Sequence, residues 1–129
     1  MATQAMERNL KRAIQTAEAI NRYHSMKIKV DEAWREREAG VYVDADMWRD
    51  LFDFSKNIKL DGMEPLNDFF ERVSVAIDKL KNEHADQSVF VVSHGGTQYV
   101  LHACANKLPL SGSIIASPIK NCEFRQYNI

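Results

Sequence analysis

The stretch Ser88-Val89-Phe90-Val91-Val92-Ser93-His94-Gly95-Gly96-Thr97 runs from an apolar segment into a histidine, two glycines and a hydroxyl residue. A short apolar run bounded by glycine suits a strand buried on both faces. The glycines then let the backbone turn tightly into a helix from about Thr97 to Ala105, with Val100, Leu101 and Cys104 on one side. The free N–H groups and positive dipole end of such a helix favour an anion. A histidine there can simply cap the helix or fill a gap in the core. Between a strand and two glycines, however, its ring is exposed beside amides suited to phosphate.

Moving outward, Leu10, Ala13, Ile14, Ala17 and Ile20 recur at helical spacing and predict an amphipathic helix over roughly the first twenty residues. Met26 to Val30 alternates apolar residues with lysines, as a short strand would. Asp31 to Val43 is charged and without a period, which suggests a loop turning near Gly40. Asp44 is placed to cap a helix containing Met47, Trp48, Leu51 and Phe52. Gly62 and Pro65 precede the clearest helix, whose stripe is Leu66, Phe69, Phe70, Val73, Ala76, Ile77 and Leu80. Leu108 to Pro118 reads as loop, and Lys120 to Tyr127 as a final edge strand. Helices alternating with a buried strand predict an α/β layered domain spanning residues 1–129.

A chain of 129 residues is enough for one domain with a core and too short for two ordinary ones. A net charge of −1 and no basic stripe argue against nucleic acid or an anionic membrane as partner. No apolar run approaches the roughly 20 residues of a membrane span. The first residues form no apolar signal core, and two cysteines, Cys104 and Cys122, make no disulfide framework. These features suggest a cytoplasmic protein.

His24 and His84 fall at expected helix ends, where positive charge is favourable without any function. His102 and Cys104 are two apart on a helix and point in different directions, so no metal site is expected. Arg12, near the start of its helix, can offer a bidentate fork to phosphate, although a solvated surface arginine is the commoner case. Glu32 lies in a charged loop with Glu36 and Glu38, where solvated charge is the plain reading. Beside phosphate, its carboxyl could instead protonate a leaving alkoxide.

Three segments together resemble the histidine phosphatase superfamily, the group that includes cofactor-dependent phosphoglycerate mutases. They are Leu10-Lys11-Arg12-Ala13-Ile14-Gln15-Thr16-Ala17, the span from Glu32 to Gly40, and Val91-Val92-Ser93-His94-Gly95-Gly96. The likeness extends through the Leu66–Leu80 helix to Asn121-Cys122. It implies a phosphoglycerate mutase-like layered sheet with helices on both faces. It also implies that Arg12, His94 and Gly95 hold phosphate, and that His94 and Glu32 are catalytic, Glu32 as acid and base. The family transfers a phosphoryl group from a phosphomonoester through phosphohistidine to water or another hydroxyl, with no cofactor expected here.

The chain departs from that pattern in two places. Its 129 residues contain no Arg-His-Gly, the family motif whose histidine attacks phosphorus. The chain is expected to begin after the family's first strand and helix, so that the N-terminal strand is missing. In the acid loop, Glu36 stands where glycine is usual and Ala39 where Glu or Gln is common. Covalent catalysis divides a difficult transfer into two easier steps, and no other residue is evidently placed to substitute. The expectation is a protein that binds phosphate or a phosphorylated small molecule with little or no turnover alone. Few basic residues besides Arg12 fall in these motifs, which favours phosphatase over mutase chemistry. A missing strand would leave Val89–Val92 with an open edge, inviting a homo-oligomer, unless the chain is a piece of a longer protein. A non-catalytic phosphate-binding or assembly module is the alternative. A serine hydrolase with Ser93 as nucleophile fails, because Val91 occupies the first glycine position of Gly-x-Ser-x-Gly.

Overall fold

The computed structural model describes residues 2–39, 44–116, 119–120 and 123–129. Four α-helices appear among them: α1 (Ala2–Asn21), α2 (Ala45–Asp50), α3 (Leu66–Glu83) and α4 (Gly95–Ala105). A single 3₁₀ turn, Glu32–Trp34, lies between α1 and α2. Their causes are mostly local. Asp44 Oδ1 accepts from Met47 N–H at 2.8 Å and starts α2, as its position before that apolar run suggests. Pro65 fixes φ at −57° ahead of α3, and Asp31 Oδ1 accepts from Ala33 N–H at 2.9 Å to begin the 3₁₀ turn. His84 caps the C-terminal end of α3, its N–H returning to Leu80 O at 2.9 Å.

The core forms where α3 packs on α4. Leu66, Phe69, Val73, Ala76 and Ile77 supply the buried stripe of α3, and Val100 and Ala103 meet it from α4. Phe52, just beyond α2 and fully buried, is the centre. Its ring meets Trp48, Phe69 and Tyr99 edge to face, with centroids 4.9, 5.9 and 5.4 Å away. The α1 stripe is different: Ala13, Ile14, Ala17 and Ile20 are only half-buried, and none joins the cluster around Phe52.

The expected layered α/β sheet is not found. Among the described residues there is no strand, only one antiparallel bridge between Asp53 and Ser113. Ser88 to Val92 makes no backbone hydrogen bond among these residues, and Val89, Phe90 and Val91 are 45%, 53% and 38% exposed. Met26–Val30 and the described part of Lys120–Tyr127 are likewise not strands. The reason is physical. Apolar, β-branched residues favour extended backbone locally, but a ladder needs a second segment in register. None of these three runs supplies one to another. The phosphoglycerate mutase-like sheet, with or without its N-terminal strand, is therefore replaced by a helical arrangement. Gly40, Val43, Pro118 and the Asn121-Cys122 segment lie outside the described residues.

Candidate functional site

The Ser93–Thr97 junction is assembled from short-range hydrogen bonds. His94 is the N-cap of α4, with extended backbone at φ −128° and ψ 167°. Thr97, one turn into the helix and buried, accepts from His94 N–H at 3.2 Å. Its hydroxyl oxygen also stands 2.7 Å from His94 O and 2.6 Å from Ser93 Oγ, so its single proton goes to one of the two. Ser93 Oγ donates to Trp34 O at 2.5 Å, tying the 3₁₀ turn to the junction. The helix begins at Gly95, two residues before the expected start, so the glycines are its first turn rather than a loop.

These two glycines do different jobs. Gly95 is exposed, and its N–H has no partner among the described residues. Gly96 is buried, and its N–H donates to Glu36 Oε2 at 2.9 Å. A Cβ on Gly96 would collide with Glu36 and lie 2.7 Å from the Phe52 ring. Close approach, not a special φ, demands glycine here.

His94 is half-buried, and its proton affinity is lowered below the usual 6.5, first by burial and then by the Arg12 cation. Arg12, exposed on α1, is thus an electrostatic neighbour of the ring. Arg12 acts on the ring through its charge, and Gly95 follows His94 directly in the chain. The remaining candidate is Glu32. That residue is exposed on the 3₁₀ turn, and its carboxylate makes no hydrogen bond or ion pair among the described residues. Its neighbour Trp34, on the same turn, is tied to the junction.

Sequence reasoning missed Glu36 and Arg37 by reading the loop as solvated charge, and Arg72 because it lies off the apolar stripe of α3. Glu36 is buried; Oε2 accepts from Gly96 N–H, and Oε1 from Arg37 N–H at 3.1 Å. Burial raises its pKa above the ordinary value, opposed by those two N–H groups and by Arg72. Arg37 donates Nε to Glu64 O at 2.8 Å, Nη2 to Ile58 O at 3.0 Å, and Nη1 to Leu51 O. Arg72 pairs bidentately with Glu64, at 3.0 and 2.7 Å, and also donates to Ala33 O and Arg35 O. Glu36 at the glycine position of the loop was the available signal.

At the far side of α4, Tyr127 hydroxyl accepts from Gln98 Nε2 at 2.8 Å and lies 3.2 Å from His102 Nδ1. A separate cavity of about 520 Å³ is lined by Arg35, Glu38, Lys59, Asp61 and Glu64 among others, and includes neither His94 nor Arg12. No helix of the described residues is long and apolar enough to cross a membrane. Chemically, the junction offers a cation, an open helix-start amide and an imidazole poised to take a proton when an anion approaches.

Comparison with known proteins gives one match. The model of the histidine phosphatase superfamily (branch 1) matches residues 8–128. No curated protein and no solved structure matches the chain.

Proposed function

Because the chain belongs to the histidine phosphatase superfamily, we propose that Arg12, His94 and Gly95 bind the phosphoryl group of a phosphorylated small molecule, or inorganic phosphate. The observation that carries this reading is the Arg12 cation beside a half-buried histidine at an open helix-start amide. An arriving phosphate would offset the repulsion between Arg12 and a protonated ring, so binding takes up a proton at His94. The family reaction is phosphomonoester hydrolysis, or transfer through phosphohistidine. No Arg-His-Gly occurs in the 129 residues, so this chain alone binds phosphate without turning it over. Within a complete site, His94 contacts the transferred group and Glu32 serves as acid and base. With two cysteines and no disulfide framework, the setting is a reducing cytoplasm.

Titration calorimetry with inorganic phosphate tests the site. Arg12→Ala and His94→Ala should each weaken binding at least about tenfold, or ~1.4 kcal/mol. Affinity unchanged in both variants would remove the assignment. A phosphomonoesterase rate lost on His94→Ala would instead show that the chain is catalytic by itself.

A second reading, an assembly module, is favoured by the exposed Val89-Phe90-Val91 run, whose backbone makes no hydrogen bond among the described residues. The segment Ser88–Val92 carries no charge and no proline, so two copies can pair along it antiparallel.

A further inference from the structure

We propose that Glu36 is a resident anion that tunes how strongly the start of α4 attracts an external one. This rests on the phosphate-binding reading of the His94–Gly95 junction and adds its regulation. The carboxylate has reached a helix end from a distant loop, and holds the second amide of α4, Gly96 N–H, at 2.9 Å. The next amide outward, on Gly95, has no partner among the described residues. An anion bound at exposed Gly95 would therefore share one helix dipole with a negative charge on the buried Glu36, and the repulsion is only partly screened because one of the two charges is shielded from water.

The surrounding groups allow this charge to be switched. From its own loop Glu36 meets Arg37 N–H; from α3 it feels Arg72, and from the residue preceding that helix region, Glu64. From α4 it faces Gly96, and Tyr99, whose phenol is pushed up by burial and by the Glu36 charge. His94 and its neighbour Arg12 stand at the same helix end. Glu64 is already engaged bidentately by Arg72. Glu36 and His94 are the groups at the junction whose proton affinities the fold shifts, Glu36 upward and His94 downward.

The probe is sulfate, which keeps its double charge across the working pH range. Glu36→Gln removes the charge and keeps an acceptor for Gly96 N–H, but loses the acceptor for Arg37 N–H, a change that does not vary with pH. Calorimetry at neutral pH should show sulfate bound roughly three- to tenfold more tightly by Glu36→Gln than by the parent, up to ~1.4 kcal/mol. The ratio of the two affinities should fall toward one as the pH drops and the parent carboxyl protonates. His94 titrates in both proteins and cancels from that ratio. A merely structural effect of the substitution would leave the ratio independent of pH. Glu36→Gly, which removes the charge and frees Gly96 N–H, gives an independent test with the same expected direction. Equal or weaker sulfate affinity in both variants, with the parent binding, overturns this inference alone. Absence of binding by the parent and both variants overturns it together with the phosphate site.

Discussion

Gly95 and Gly96 are adjacent, yet substitution separates them. Gly96→Ala drives a methyl into Glu36 and the Phe52 ring, and should cost about 1–3 kcal/mol as overpacking. Gly95→Ala meets nothing nearer than the Tyr99 hydroxyl at 3.7 Å, and should stabilise α4 by up to ~1 kcal/mol. Urea unfolding of the two variants checks the contrast. Glu36 gives a pH signature of the opposite kind from a paired carboxylate. Its folded pKa is raised from 4.5, so stability is fully present below that value and declines as pH rises through the folded pKa. Glu36→Gln should therefore melt higher than the parent at neutral pH, the gain vanishing below about pH 4.5. A gain that persists in acid would contradict a buried charge as its source. His94 acts in the other direction: its depressed pKa costs stability as pH falls below 6.5.

The elements depend on ties that cross the sequence. Arg37 satisfies three carbonyls, on Leu51, Ile58 and Glu64, from segments flanking α2 and α3. Arg37→Leu leaves those acceptors without their partner, and each buried loss costs ~1–3 kcal/mol. A total of about 3 kcal/mol or more is expected, read as a lower urea midpoint at unchanged slope. The helices themselves were legible in the sequence because helical period, the Asp44 cap and the Pro65 start are local. The expected strands do not occur among the described residues, because Val89–Val92 encodes an extended preference but cannot encode a segment to pair with it. Of the candidate site, the place of His94 at the start of α4 could be read from the sequence, because its glycine context is local, whereas the electrostatic influence of Arg12 and the exposure of Glu32 depend on packing. Glu36 was hidden because a glutamate among alternating charges reads as solvated until its helix-end partner is known.

At the scale of the molecule, the helical core is built around Phe52, while apolar surface remains at Val89, Phe90 and Val91. A net charge of −1 gives little repulsion between copies. Concentration-dependent association is expected in sedimentation velocity, and Phe90→Lys should shift the distribution toward monomer by placing like charges opposite each other in an antiparallel pair. Sedimentation identical for parent and variant would exclude this segment as the contact.

The chain contains two tryptophans, and the fold gives them separate duties. Both are partly buried against the core, Trp48 edge-on to Phe52, while the Trp34 carbonyl also receives the Ser93 hydroxyl at the helix junction. Intrinsic fluorescence of this protein is consequently a two-channel signal. A Trp48→Phe variant leaves emission from the 3₁₀ turn tied to Ser93, and a Trp34→Phe variant leaves emission from beside Phe52. Anion occupancy and loss of the native state thereby become optically separable without any added label.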